Sequence, residues 1–194
     1  MKKAKIKQMV TVSLLIAMIV VLQLLGYVLP RIGPFGLSFV LIPIVIGAAV
    51  YGPKVGAVLG GAFGVVVCFC CYNGLDGGGF MVWQANPLLC ILVVMAKGII
   101  AGFMTGIAYK AFASKNRHAA MICAAAVCPI FNTGLFLLGM RVFFFDVLNV
   151  WANGSNVVAY MLTGIVLANF LPELIINLVF SPAGQRIVDV VKKS

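Results

Sequence analysis

The chain has 194 residues, of which 63% are hydrophobic and 9% charged, and its mean hydropathy is +1.16. These values exclude a disordered chain and an ordinary soluble globular domain. The net charge of +10 does not indicate a nucleic-acid-binding protein, because the basic residues lie between apolar runs, where they determine membrane topology. Apolar runs of about 20 residues recur, whereas the alternating segments of a membrane β-barrel are absent, so we predict membrane-spanning helices.

The first predicted span covers residues 7–29 and follows a basic N-terminus. Its apolar run is too long for a signal peptide and lacks a clear cleavage site, so we expect it to be retained. Within it, Ser13 and Ala17 form a small-xxx-small step that favours close helix packing. The second span, residues 37–51, is short and contains Pro43, which predicts a helix that is tilted, broken or partly inside the protein.

A tight turn at residues 52–54 leads into span three, residues 53–72, which has glycine at every fourth position along one helical face. These glycines are Gly56, Gly60 and Gly64. A stripe of small residues predicts close approach between helix backbones inside lipid. A glycine-dense loop at 73–79 then leads to span four.

Span four, residues 87–113, begins at a proline, which a helix start tolerates. It carries a second glycine stripe and one charge, Lys97, about 15 Å from its start at roughly 1.5 Å per residue. Span five covers residues 119–145. Span six covers residues 157–180 and is followed by a tail at 181–194.

Six spans place both termini on one side of the membrane. Eleven of the fourteen Lys and Arg residues then lie on that side, while Arg31 and Arg141 lie on the other and Lys97 lies within the membrane. The positive-inside rule assigns the terminal side to the cytoplasm. We therefore predict an all-α integral membrane protein: a six-transmembrane-helix bundle with both termini cytoplasmic, forming a single transmembrane domain over residues 1–194.

Polar residues away from the terminal side concentrate in the outer loops and in spans four to six. Polar groups at membrane depth usually face a bundle interior or a cavity, so we predict an outward-facing binding pocket. The candidate substrate-binding residues are Arg31, Trp83, Gln84, Asn86, Lys97, Asn132, Arg141, Asn156, Tyr160 and Asn169.

Several of these candidates have a structural alternative. Lys97 either binds a carboxylate or phosphate of a ligand, or pairs with Glu173 or snorkels along a neighbouring helix. Arg141 either clamps a carboxylate or pairs with Asp146 at the surface. Trp83 either stacks on a ligand or belongs to the interfacial aromatic belt. Asn132 either contacts the ligand or joins two helices.

The six cysteines lie inside apolar runs without metal-ligand spacing, so we interpret them as small buried hydrophobes. The phosphate-loop, serine-hydrolase and zinc-protease motifs are absent from the sequence. We therefore predict no catalytic residue, no metal site and no cofactor. No inverted repeat is evident, which argues against a transporter that works alone.

The segments at residues 38–47 (SFVLIPIVIG), 51–60 (YGPKVGAVLG) and 169–173 (NFLPE), with the length and the six spans, resemble the substrate-binding S component of energy-coupling factor (ECF) vitamin transporters. The resemblance covers essentially the whole chain. It implies the capture subunit of an ECF-type ABC importer in the plasma membrane of a prokaryote. Such a subunit binds a water-soluble vitamin from outside and delivers it by association with a membrane coupling subunit and two cytoplasmic ATPases.

In that family an Ala-x-x-x-Ala motif of the first span meets the coupling subunit, and Ser13 and Ala17 occupy its place here. We add the glycine face of span three as a predicted docking face: Gly56, Gly60 and Gly64. The outer cations favour a ligand with a carboxylate, so pantothenate is our first candidate, with pyridoxine, riboflavin or folate as alternatives. Two other classes stay open: an intramembrane redox protein that uses its cysteines, and a small stand-alone channel or transporter.

Overall fold

The computed structural model describes residues 2–27, 31–32, 35–36 and 39–193, with side chains described for 5–27 and 39–192. Its secondary structure is almost entirely helical. The elements are α1 (Lys2–Gly26), β1 (Arg31–Ile32), β2 (Phe35–Gly36), α2 (Leu41–Tyr51), α3 (Pro53–Tyr72), α4 (Gly77–Ala85), α5 (Pro87–Ala113), α6 (Arg117–Phe143), α7 (Phe145–Ala152), α8 (Val157–Tyr160), a π-helical segment (Met161–Phe170, the π segment) and α9 (Leu171–Lys193). The two short strands form an antiparallel hairpin, and β2 packs against the π segment.

Five helical stretches are long and apolar enough to cross a membrane: α1, α3, α5, α6 and the continuous helix from Val157 to Lys192. The second predicted span differs from these, because α2 has only 11 residues and is therefore about 16 Å long. A hydrocarbon core is about 30 Å thick, so α2 is too short to cross it alone. The described chain thus has five candidate membrane spans and one shorter apolar helix, and the count of six spans stays a prediction.

The short helix α2 lies in the centre of the bundle. Eight of its residues are buried, and it packs against α1, α3, α5, α6 and α9. Pro43 does not break it, because this proline lies in the first turn, where a missing N–H costs no intrahelical hydrogen bond. After α2 the chain reverses at Gly52, whose φ of +91° is a conformation that glycine adopts without strain.

Helices α3 and α5 are in direct backbone contact along their glycine stripes. A methyl group added at Gly60 would overlap the carbonyl oxygen of Gly98, and one added at Gly56 would overlap the carbonyl oxygen of Gly102. At the same interface, a methyl group at Gly64 would lie 2.8 Å from the Met95 sulfur. The close helix contact predicted from the stripe of α3 is thus confirmed, and α5 is the partner.

This contact corrects the docking role predicted for the stripe. Gly56, Gly60 and Gly64 are all buried by α5, so they present no face to another subunit. Sequence periodicity identifies a face that needs a close neighbour, but it does not tell whether that neighbour belongs to the same chain.

Both ends of the chain lie at the same end of the bundle, as the sequence predicts. The Lys7 ammonium donates a hydrogen bond to the carbonyl oxygen of Val191 at 2.8 Å. The predicted tail at 181–194 is helical rather than irregular: α9 continues through it to Lys193. It does so because Gln185 and Val188 are buried against the bundle, and the Tyr109 hydroxyl donates to Gln185 at 3.2 Å.

The two long loops predicted at the other end each contain a short helix. Helix α4 begins after Asp76, whose carboxylate accepts a hydrogen bond from the Gly79 amide at 3.0 Å. Helix α7 follows α6 after a break at Phe144. The sixth predicted span also departs from an α-helix, since the Leu171 amide bonds five residues back to Val166. Pro172 follows directly and has no N–H with which to continue the ladder.

We predict that Gly60→Ala lowers the thermal stability of the detergent-purified protein. The added methyl group must separate two packed backbones, and overpacking of this kind costs about 1–3 kcal/mol. Gly61→Ala is the matched control, because its methyl group would lie 3.5 Å from Ile99 in ordinary contact. Each variant is heated, and size-exclusion chromatography then measures the fraction of protein that remains monodisperse. Equal stability of the two variants would contradict direct backbone contact at Gly60.

Candidate functional site

Polar side chains of α5, α6 and α9 lie in the apolar interior, and we call them the interior polar cluster. The members are Lys97, Asn132, Thr133, Glu173 and Asn177. Lys97 is partly buried, and the other four are each at most 6% exposed. Burying polar groups at membrane depth is costly, and such groups typically mark a pathway or a binding site.

The cluster contains acceptor atoms that the folded chain does not satisfy. No hydrogen-bond partner is present for Asn132 Oδ1, Thr133 Oγ1, Glu173 Oε2 or Asn177 Oδ1, all four of them buried oxygen atoms. The Asn177 amide, by contrast, is used, since it donates to the Glu173 carbonyl oxygen at 2.8 Å. Buried polar atoms in folded proteins are normally paired. The interior therefore favours a ligand that brings hydroxyl or N–H donors.

The ammonium group of Lys97 lies against two aromatic rings rather than on a carboxylate. Its Nζ is 4.7 Å from the ring centroid of Phe136 and 5.7 Å from that of Phe63. Among the described side chains, the ion pair within 4 Å is Arg117–Asp189, so Lys97 and Glu173 do not form one. Glu173 nevertheless lies close enough to both Lys97 and the Asn132 amide to interact with them electrostatically.

Lys97 also borders an apolar groove of about 320 Å³ between α5 and α6. A cation that is held only by aromatic faces keeps its capacity to bind an anion. The sequence leaves two alternatives for Lys97, a ligand contact or a pair with Glu173. Because no ion pair joins Lys97 to Glu173 among the described side chains, the first alternative is the one that the structure leaves open.

Two of the sequence candidates at the outer end act as helix caps. Asn86 Oδ1 accepts a hydrogen bond from the Leu89 amide at 3.1 Å, and Asn156 Oδ1 accepts one from the Val158 amide at 2.8 Å. Both side chains are exposed. Each uses its acceptor atom on the first turn of the following helix, the usual role of asparagine at this position.

The other outer candidates are also apart from the interior polar cluster. Arg141 is exposed, with its guanidinium 4.5 Å from the ring centroid of Phe145, and it makes no ion pair with Asp146 within the described part of the chain. Gln84 is exposed as well. Trp83 packs edge-on against Tyr72, with 5.6 Å between ring centroids.

The last three candidates lie in span six and in the first hairpin. Tyr160 packs its ring on Gly164, and Asn169 is partly buried in the π segment. Arg31 is in β1, and its side chain lies outside the described residues. The structure thus brings Lys97 and Asn132 into one cluster, and the remaining described candidates lie elsewhere.

Three cluster members were not among the sequence candidates: Thr133, Glu173 and Asn177. The sequence presents Glu173 as one of the polar residues of span six and as a counterion for Lys97, but not as a binding residue. A stronger signal was available, because Glu173 and Asn177 are four residues apart in an apolar run and therefore share one helical face. Asn132 and Thr133 form a similar polar break in α6.

The short helices α4 and α7 meet above the cluster, where the Trp151 indole donates to the Met81 sulfur at 3.3 Å. Beneath α4 lies a cavity of about 30 Å³ whose lining includes Asp76, Cys71 and Cys90. Phe136 lines this cavity and also contacts Lys97, so the two regions are adjacent. All six cysteines are free thiols, and among the described residues no group of three metal-ligating side chains is present.

The sequence profile of the ECF transporter substrate-specific component matches residues 7–183. The chain belongs to this family. The chain is also similar to the pantothenic acid transporter PanT of Lactococcus lactis subsp. cremoris (strain MG1363), with 26% identity over an alignment 193 positions long that covers 94% of each chain. No solved structure matches it.

The resemblance noted from the sequence is thereby confirmed. ECF substrate-specific components are substrate-binding subunits of transporters, so the chain is not an enzyme. The alternative of an intramembrane redox protein has no support from the six cysteines, which are free thiols, four of them buried and two partly buried.

We predict that Asn86→Ala destabilises the ECF component by about 1 kcal/mol, because the first turn of α5 loses its cap. Asn86→Asp keeps an acceptor at the same position and should retain most of the stability. The measurement is the thermal unfolding midpoint of each variant in the same detergent, together with its affinity for ligand. A capping role is contradicted if both variants unfold like the unaltered protein and both lose ligand affinity.

Proposed function

We propose that this ECF substrate-specific component binds pantothenate, with the interior polar cluster as the site that holds it. The observation that carries the proposal is the combination of one ammonium group with four buried oxygen atoms that lack a hydrogen-bond partner among the described residues. Pantothenate has a carboxylate for the ammonium group, and hydroxyl and amide N–H groups for the acceptors. The name of the relative PanT supports the same substrate.

The chemistry of the cluster also ranks the alternative vitamins. Pyridoxine and riboflavin have no carboxylate, so the Lys97 charge would have no counterion in their complexes. Folate has carboxylates, but its extended ring system requires a much longer aromatic site. A charge-assisted hydrogen bond is about twice as strong as a neutral one, so the carboxylate contributes much of the selectivity.

We predict that Lys97→Met weakens pantothenate binding by about 10–100-fold, because a buried hydrogen bond to a charged group contributes about 1.5–3 kcal/mol. Protein purified without removal of its ligand should release about one equivalent of pantothenate on denaturation, detected by mass spectrometry, since tight binding implies slow release. The variant should release far less. Isothermal titration with pantothenate gives the affinities.

Lys115→Met is the control, since Lys115 is exposed in the loop between α5 and α6. It should bind pantothenate within about twofold of the unaltered protein. A different vitamin released in stoichiometric amount would replace pantothenate as the substrate. If Lys97→Met unfolds as readily as it loses ligand, Lys97 has a structural role instead.

The delivery step of the proposal concerns the coupling subunit and the two ATPases. Helix α1 buries Leu15 and Ile19 against the bundle, whereas Ser13 and Ala17 are exposed on its other face. Small exposed side chains let a second helix approach closely in a membrane. We assign this face to the coupling subunit, with the termini in the cytoplasm of a prokaryotic cell because the basic residues gather at the terminal end.

We predict that Ala17→Leu prevents co-purification with the coupling subunit and the ATPases but leaves pantothenate binding intact. The larger side chain keeps the partner helix at a distance, and Ala17 is exposed on α1, whereas the interior polar cluster belongs to α5, α6 and α9. Ala17→Ser keeps the residue small and should assemble normally. Co-purification of Ala17→Leu in normal yield would rule out this face as the docking site.

A further inference from the structure

The end of the bundle that holds the chain termini contains a second pocket, separate from the interior polar cluster. It is a cavity of about 430 Å³ between the α2–α3 turn, α5 and the end of α9. Its size lies within the range of about 300–1,000 Å³ typical of small-molecule sites. Three lysines line it, contributed by three different helices: Lys54, Lys110 and Lys192.

These lysines are not matched by carboxylates. The whole chain has four acidic residues. Of these, Asp189 interacts electrostatically with Lys192. Its carboxylate, however, accepts a hydrogen bond from Gln185 at 2.9 Å and pairs with Arg117 at 3.3 Å. Neither Lys54 nor Lys110 has an ion-pair partner within 4 Å among the described side chains. Three like charges that line one cavity repel each other, so an anion between them is stabilising.

Backbone groups of the α2–α3 turn also contribute to the wall of this cavity. Helix α3 begins at Pro53 in the pocket wall, and the first amides of a helix have no intrahelical acceptors and carry partial positive charge. Gly106 permits this arrangement, because a methyl group there would lie 2.6 Å from the Pro53 nitrogen.

The position of Lys192 is also defined by packing. Its ammonium group lies 5.0 Å from the ring centroid of Tyr109, and that tyrosine is itself held by Gln185. One wall of the pocket is apolar, formed by Ala48, Ala49 and Val50 of α2. The pocket therefore combines a cationic, donor-rich side with an apolar side at the end of the spanning helices.

We propose that this pocket is a phosphate-binding site. A phosphate group has several strongly accepting oxygens and at least one negative charge, which fits three lysine ammonium groups beside the N-terminal amides of a helix. Two sources provide this group: the headgroup of an anionic phospholipid, and a phosphorylated compound in solution. The site uses no residue of the interior polar cluster, so it stands or fails independently of pantothenate binding.

The first test measures the thermal unfolding midpoint of the unaltered full-length protein in neutral detergent. The additions are phosphatidylglycerol, phosphatidylcholine with the same acyl chains, and inorganic phosphate at constant ionic strength. A ligand that binds the folded state at about tenfold excess over its dissociation constant should raise the midpoint by about 4 °C. An increase with phosphatidylglycerol alone identifies a lipid, and an equal increase with inorganic phosphate identifies a soluble source. An equal effect of phosphatidylcholine, or no effect of any addition, overturns the proposal.

The second test locates the site with variants. The double variant Lys54→Gln/Lys110→Gln should lose about tenfold or more in apparent affinity for the stabilising compound, whereas Lys115→Gln, at the same end but outside the pocket, should change it by less than about twofold. Lys192→Gln removes the third ammonium group of the pocket and should weaken binding about threefold to tenfold. If the double variant does not fold, the single variants Lys192→Gln and Lys54→Gln decide. Equal losses in Lys54→Gln and Lys115→Gln would indicate diffuse surface charge and overturn a defined pocket.

Discussion

The direct backbone contact between α3 and α5 fixes how the central helices of the bundle pack. With glycine on both sides, the two helices approach until the carbonyl oxygens of one helix meet the α-carbons of the other. This contact sets their register and therefore what lies beside it. Gly98 is the neighbour of Lys97 in the chain, and a methyl group at Gly98 would lie 3.5 Å from the Phe63 ring. The same crossing thus brings the Lys97 ammonium group towards the Phe63 ring, while the second ring near it, Phe136, belongs to α6.

The polar residues have different roles according to their depth in the bundle. At the outer end, Asn86 and Asn156 are exposed and satisfy helix amides next to them in the chain. In the middle, Asn132 and Glu173 keep acceptor atoms without a partner, because the neighbouring backbone groups are already used within helices. At the terminal end, lysines gather around the α2–α3 turn with too few carboxylates to neutralise them. Depth decides whether a polar side chain supports local structure or is available to a ligand.

The candidate site was only partly predictable from the sequence. Lys97 and Asn132 could be selected because a polar residue in an apolar run is costly and therefore needs a reason. Thr133 and Asn177 are not among the residues selected from the sequence, since their place in the interior polar cluster depends on how α6 and α9 face each other. Asn86, Asn156 and Arg141 were selected for their chemistry, but the first two cap helices and the third stacks on Phe145 at the surface. Residue type indicates which groups are able to bind a ligand, and three-dimensional packing selects among them.

Composition and local sequence are sufficient to predict the properties that depend on neighbours along the chain. These are the long apolar helices, the gathering of lysines at the end that holds both termini, the glycine faces and the membership of the ECF family. Tertiary structure alone decided that α2 is a short buried helix, that the stripe of α3 faces α5 rather than another subunit, and that the tail continues α9. The physical reason is that helix formation and membrane insertion follow local hydropathy. Which faces meet depends instead on packing between residues far apart in the chain.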